Sequence, residues 1–369
     1  RAFTYTLTDA AGNESAASPV LNVSILAAPV FTSGATASVA ENTTAAYTAA
    51  AGTGMTYSID TGVGADGAKF SINSSTGALS FIAAPNFELP TDAGANNVYD
   101  VTVRATNAAG GFTNQNVAVT VTNVNDAPVL ANGSTLSYTE NNAATAINTA
   151  ITVSDADNAA LASATVSITG GFVTGQDVLS FTPNAGTMGN IAGSYNATTG
   201  VMTLTSASSS ATLAQWQAAL RAVAYSNSSE NPNTASRTVS YVVNDGALNA
   251  TAVTSTITVT AVNDAPVVAV AIPDQVAVLG TAFSYVVPAG TFTDEENNPL
   301  TYTATRGDGT ALPAWISFTV STRTFSGTPN STIDFNIRVT ASDGTASGSD
   351  TFLLGIAPVV NSVAITADT

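Results

Sequence analysis

The sequence predicts an all-β chain, a row of β-sandwiches joined by short, stiff linkers. Three observations predict it. A strand-then-linker phrase is written twice, as "VTVTNVNDAPVL" from Val119 and "ITVTAVNDAPVV" from Ile257. A hairpin phrase is written three times, and the composition is rich in Ala, Thr, Ser, Asn and Gly but poor in charge.

The first half of each linker phrase alternates β-branched and polar residues, the pattern of a strand with one buried face. The second half stops the strand, because Asn-Asp favours a turn and proline cannot donate to a sheet ladder. Looser copies surround Pro29 ("LNVSILAAPVF") and Pro358 ("FLLGIAPVV"). Together with Pro128 and Pro266 these prolines cut the chain into three segments, each of a size that suits one sandwich.

The hairpin phrase occurs once per segment: "SINSSTGALSF" from Ser71, "SYNATTGVMTL" from Ser194 and "SFTVSTRTFSG" from Ser317. Each is an apolar residue, a polar turn and a strand with apolar residues two apart. Ile72, Tyr195 and Phe318 share one register, and Leu79, Met202 and Phe325 share another. One stretch, "TLAQWQAALRAVAY", reads as a helix in the middle segment. Thr212 and Gln215 form a capping box, and Leu213, Trp216, Gln217, Leu220 and Val223 lie near one face. Trp216 reads as core packing across an open end of the sandwich rather than as a sugar platform.

At 369 residues the chain suits two to four domains. Charged residues are 9% of it, against 45% hydrophobic, and the formal net charge is −17. An acidic surface disfavours nucleic acid, whose phosphates need Lys and Arg, and anionic membrane surfaces; it favours cations. With no His and no Cys, a Ser-His-Asp triad, a cysteine nucleophile and a His-ligated zinc are all excluded. The chain reads as a non-enzyme. Lack of Cys in small β-domains shifts weight toward a bacterial surface protein. No apolar run is long enough for a spanning helix. Strand-like text at both ends, "AFTYTLTDAAGNES" and "SVAITADT", reads as cut from a longer protein.

These phrases resemble known families. Residues 28–126 resemble a bacterial cadherin-like domain, through "VAENTTA", "FSINSSTGALSF", "NFELP", "YDVTVRATNAAG" and "VNDAP". Residues 127–264 resemble the larger proteoglycan-type cadherin-like repeat, through "YTENNAATAI", "VSDADN", "GSYNATTGVMTLTS", "LAQWQAALRAVAYSNSSENP" and "VVNDG". Residues 265–357 resemble the dystroglycan-type cadherin-like domain, through "IPDQVAVLGTAFSYVVPAGTFTDEENNPLTYTA", "LPAWISF", "TFSGTP" and "VTASDG". Residues 1–27 resemble the end of an Ig-like repeat, and 358–369 the start of another. The resemblance implies Ig/cadherin-like Greek-key sandwiches and a tandem array of the kind found in large surface adhesins and biofilm matrix proteins of Gram-negative bacteria. It implies an extracellular location, with other copies, surface glycans or proteins engaged through regions outside this chain.

Calcium takes six to eight oxygen ligands, several of them carboxylates, and two domain ends meeting at a short linker can supply them. At the Pro128 linker, Asn125 and Asp126 stand between Glu41 and Glu88 before them and Asp155 and Asp157 after. Alternation puts the last two on one side of the chain. The resemblance supports these roles and adds Asp245. At the Pro266 linker the corresponding set is Glu140, Asn263, Asp264, Asp294, Glu296 and Asp343. The alternative for these acids is turn formation, since Asp and Asn bond their own backbone in turns. Asn123 and Ala261 stand where such linkers usually carry an acid, and Asn107 where "ATD" is usual. The expectation is therefore fewer ions than in animal cadherins, and none at the Pro29 and Pro358 linkers. The function expected is a calcium-stiffened extender. Its rivals are a glycan- or ligand-binding sandwich, which clustered exposed aromatics would favour, and a self-assembling surface layer or filament, which low charge and many sheet edges would suit.

Overall fold

A computed structural model describes residues 2–3, 7–14, 21–22 and 27–359. The expected strand in "SVAITADT" and most of the segments 1–27 and 358–369 lie outside the described residues. The chain is all-β, with sheets packed as sandwiches in tandem. It divides into two compact units: one holds residues 27–127 and 155–158, the other 128–154 and 159–359.

In the first unit a four-stranded sheet orders its strands as Thr36–Ala40, Phe112–Thr122, Val98–Thr106 and Thr56–Ile59. A three-stranded sheet faces it, with Ala78–Phe81 between Ala45–Thr48 and Phe70–Ile72. Alternation works as the sequence predicts: Val117, Val119 and Val121 point inward beside Val101, Val103 and Tyr99. Ahead of this sandwich, Ala2–Phe3 pairs with Leu21–Asn22.

The second unit contains two further cores. One gathers residues between Leu130 and Val259, the other residues between Ile272 and Ile356. The first of these lies under a six-stranded sheet and a three-stranded sheet, the second under a four-stranded and a three-stranded sheet. All three cores share one topological device. The first strand of each larger sheet, its opening strand, runs parallel to the closing strand: Thr36–Ala40 with Phe112–Thr122, Thr135–Thr139 with Val253–Thr260, and Gln275–Val278 with Ser347–Ala357. That parallel edge pair brings the residue after the opening strand beside the start of the next linker.

The hairpin registers follow the sequence pattern. Ile72 lies opposite Leu79, Tyr195 opposite Met202, and Phe318 opposite Phe325. The turns need a left-handed residue, supplied by Gly77 (φ +73°) and Gly200 (φ +69°) but by Arg323 (φ +54°) in the third copy. The helix is Leu213–Arg221, with both halves of the Thr212–Gln215 capping box formed. Trp216 is buried in the core, as expected, and its indole N–H donates to the Leu161 carbonyl. Val223 is buried too but lies past the helix end. A second helix, the single turn Ala185–Met188, goes beyond the one helix expected; Asn184 caps it. No helix among the described residues is long and apolar enough to cross a membrane.

Candidate metal centres

Glu41 and Glu140 occupy equivalent places, one residue past the opening strands Thr36–Ala40 and Thr135–Thr139. Their own N–H groups extend the parallel ladder to the carbonyls of Thr122 and Thr260. Each is followed by an asparagine in the left-handed region, Asn42 (φ 60°) and Asn141 (φ 63°), which asparagine tolerates better than most residues. The turn aims each carboxylate at the linker backbone. Glu41 Oε1 accepts the Val124 N–H at 2.8 Å, and Glu140 Oε2 accepts the Val262 N–H at 2.7 Å.

In the first unit, one oxygen each from Glu41, Glu88 and Asp126 lie within 4.8 Å of one another. Glu41 Oε2 also accepts the Phe87 N–H at 2.8 Å, which fixes the backbone next to Glu88. The Asp126 N–H donates to Asp157 Oδ2 at 2.5 Å, and Asn158 Nδ2 donates to Asn125 Oδ1 at 3.0 Å. Asp155 Oδ1 accepts the N–H groups of Asp157 and Asn158. Of the residues expected here, Glu41, Glu88, Asn125, Asp126, Asp155 and Asp157 therefore fall in one connected network. Asp245 is not among the three clustered acids; its Oδ1 closes a turn on the N–H groups of Ala247 and Leu248.

The second unit repeats the arrangement. Glu140, Glu230 and Asp264 each place an oxygen within 4.8 Å of the others. The Asp264 N–H points to Glu296 Oε2 at 3.4 Å, and Asn298 Nδ2 to Asn263 Oδ1 at 3.4 Å. Asp294 Oδ1 accepts the Asn298 N–H, and Asp343 Oδ2 accepts from Asn263 Nδ2 at 2.8 Å. All six expected residues, Glu140, Asn263, Asp264, Asp294, Glu296 and Asp343, join this network. Glu230 belongs to it as well and was missed. Its stretch "SNSSENP" has no strand or helix period, so nothing local says which carboxylates it faces.

The electrostatics are those of sites short of positive charge. Burial pushes the Glu88 carboxyl above its ordinary range, and the nearby Asp157 and Glu41 push the same way. Burial likewise raises Glu140, with the Val262 N–H opposing and the charges of Asp264, Glu230 and Glu296 adding to the rise. Asp343 is held low, chiefly by the Asn263 amide and then by the Ala346 and Thr345 N–H groups. The ion pairs among the described residues, Arg104–Asp60 and Arg237–Asp177, involve none of the six clustered acids. Two carboxylates about 5 Å apart repel by about 3 kcal/mol at an effective dielectric near 20.

The donor set fits a hard divalent cation. Every candidate ligand is an oxygen, as calcium requires. Several carboxylate oxygens are buried with no hydrogen bond: both of Glu88, Asp155 Oδ2, Glu140 Oε1, Asp264 Oδ2, Asp294 Oδ2 and Glu296 Oε1. Buried polar atoms are seldom left so. Turn formation and ligation are not exclusive here, since Asp155 and Asp294 close a turn with one oxygen and leave the other unbonded. At the end of the third core, Leu279 continues the ladder to the Ala357 carbonyl where the other two repeats have Glu41 and Glu140. Its alkyl side chain offers no ligand.

Of the aromatic side chains described, Phe112 alone is exposed, and the Arg104 guanidinium sits 4.4 Å from its ring centroid. The described residues therefore hold no cluster of exposed aromatics on which a sugar could stack.

The fold defines the chain as tandem β-sandwiches. Residues 265–357 match the family described as "Putative Ig domain". Solved structures similar to the chain include mouse cadherin-23 EC22-24, at 19% identity and TM-score 0.44, covering 90% of this chain and 99% of that one. Others are protocadherin gamma B2 domains 3-6, at 13% identity and TM-score 0.46 (89% and 72% covered), and Drosophila N-cadherin EC1-4, at 16% and 0.35 (89% and 75%). No curated protein matches the chain.

Proposed function

We propose that this chain is an extracellular extender from a large bacterial adhesin or biofilm matrix protein, its linkers stiffened by calcium. Its domains are taken as 28–126, 127–264 and 265–357, with 1–27 ending a preceding Ig-like repeat and 358–369 beginning another. The observation that carries the reading is the repetition of one acid cluster at two linkers, each with buried carboxylate oxygens that accept no hydrogen bond.

Glu41, Glu88, Asp126, Asp155 and Asp157, with Asn125, would hold calcium at the first linker. Glu140, Glu230, Asp264, Asp294 and Glu296, with Asn263 and Asp343, would hold it at the second. Bound there, calcium supplies positive charge that offsets the repulsion among the acids and lets them share one centre. Glu41 and Glu140 fix the linker backbone from the sandwich before it, while Asp157 and Glu296 accept the N–H of the linker aspartate from the chain after it. A linker gripped from both sides in sequence loses bending freedom, which is the mechanical property an extender needs. Adhesive targets, whether other copies, glycans or proteins, belong to regions outside this chain. The test is calorimetric titration of the whole chain with calcium. Binding at both clusters with Kd near about 10⁻⁴–10⁻³ M, the range of extracellular modules, supports the reading. No calcium binding at several millimolar overturns it.

A further inference from the structure

The middle sandwich contains a fully buried ion pair between Asp177 and Arg237. Asp177 Oδ1 accepts from the Tyr225 hydroxyl at 2.6 Å, Asn227 Nδ2 at 2.8 Å and Arg237 Nη2 at 3.1 Å. Its Oδ2 accepts from the Val173 N–H at 2.8 Å and Arg237 Nε at 3.2 Å. Replacing such a pair by apolar residues is often neutral or stabilising, so stability alone is a weak reason for it. The network's outward connections supply a better one.

Both ends of the segment 228–236 are tied to this pair. At the near end, Asn227 donates to Asp177 and accepts the Ser229 N–H at 2.9 Å. At the far end, Arg237 Nη1 donates to the carbonyls of Asn233 and Ala235. Between the ties stands Glu230, the clustered acid with an exposed side chain. Beside it, the Asn231 N–H is accepted by Ser229 Oγ at 3.1 Å, and Asn231 Nδ2 donates to the Glu295 carbonyl at 3.0 Å, next to Glu296. Glu230 Oε2 accepts from Asn141 Nδ2 at 3.1 Å, adjacent to Glu140. A short polar path thus joins the buried pair to the second cluster.

We infer that Asp177 and Arg237 are positioning residues for the second cluster: the buried pair sets the conformation of residues 228–236 and so holds Glu230 beside Glu140 and Asp264. The inference rests on the calcium reading above. It uses a property of the guanidinium that an ammonium lacks, several donors in a rigid fork. Arg237→Lys keeps a charge against Asp177 but cannot also hold two loop carbonyls in that geometry.

The test uses the whole chain, calcium alone as probe, and three measurements: calorimetric titration, amide exchange of residues 228–236 in chelator, and thermal melting. Variants are Glu230→Gln, Arg237→Lys and Asp177→Asn; Arg237→Lys keeps the test decisive if Asp177→Asn does not fold. The expected result for Arg237→Lys is calcium binding at the second cluster weakened about 10- to 100-fold, as for loss of an outer-shell partner. Exchange should be faster in 228–236, while the middle core stays protected and the first cluster binds as before. If Glu230→Gln weakens binding but Arg237→Lys leaves affinity and loop exchange unchanged, the inference is overturned alone. Loss of affinity that tracks loss of protection throughout the middle core also overturns it. Unchanged binding in Glu230→Gln overturns the calcium reading at this cluster and the inference with it.

Discussion

Glu41 accepts the N–H of Val124, two residues before Asp126, across 83 positions of sequence. The pairing follows from the parallel edge, which sets the end of the opening strand against the start of the linker. Glu140 and Val262 repeat it in the next sandwich. The side chain that could ligate an ion is thus already anchored to the linker backbone.

Glu41→Ala should therefore have two separable effects. Calcium binding at the first cluster should be lost, and the Val124 and Phe87 N–H groups should lose their acceptor. In chelator the two lost, part-buried bonds should cost about 1 kcal/mol, because relief of the repulsion from Glu88 and Asp126 offsets part of the loss. Glu41→Gln should recover part of the stability but not the binding. Denaturant unfolding in chelator and calorimetry in calcium read the two effects independently.

Replacing Asp155 and Asp157 together with Ala should weaken calcium binding at the first cluster strongly, because affinity follows ligand charge and number. The cost in stability should be modest, about 1–2 kcal/mol, from the turn bonds that Asp155 Oδ1 accepts and the Asp126 N–H that Asp157 accepts. Unaltered stoichiometry in a titration of the whole chain would reduce Asp155 to a turn former and Asp157 to an acceptor for the linker backbone.

Gly77→Ala should destabilise the first sandwich without touching calcium. The residue sits at φ +73°, and a Cβ there would lie 2.3 Å from the Ala49 carbonyl oxygen. Left-handed geometry alone costs about 1–2 kcal/mol for an L side chain, and the clash adds to it. A lowered melting transition with unchanged calcium affinity is the expected pair of readings.

Acid should weaken the first sandwich partly through Asp60. Its carboxyl is held below the ordinary value, first by the Asn114 amide, then by the Gly62 N–H and by Arg104. A depressed folded pKa stabilises above the unfolded value and is lost as pH falls through the folded one. Melting in chelator should therefore decline as pH drops below the ordinary carboxylate range, and less steeply in Asp60→Asn.

Much of the fold was legible because its signals are local. The opposition of Ile72 to Leu79, Tyr195 to Met202 and Phe318 to Phe325 comes from a period of two around a polar turn. The capping box that opens the long helix is a four-residue signature. The turn Ala185–Met188 is too short to show any period. At the sites, the repeated phrase itself marks only Asn125–Asp126 and Asn263–Asp264, and the family resemblance supports the flanking acids. Glu230 could not be listed in advance, because its place depends on side chains brought together by strand order, such as Asp177 and Arg237, 60 residues apart in sequence. Asp245 closes a turn of its own with Oδ1, as Asp155 and Asp343 do, and lies outside the three clustered acids.

The central claim is that calcium stiffens linkers between sandwiches that fold without it. Small-angle scattering of the whole chain, in calcium and then in chelator, tests it most directly, with circular dichroism on the same samples. The account predicts retained β-structure in both and a changed maximum dimension on chelation, as the uncompensated acids of Glu41, Glu88 and Asp126, and of Glu140, Glu230 and Asp264, repel one another. A scattering profile indifferent to chelator would contradict the stiffening, and loss of β-structure on chelation would instead make the ions part of the fold.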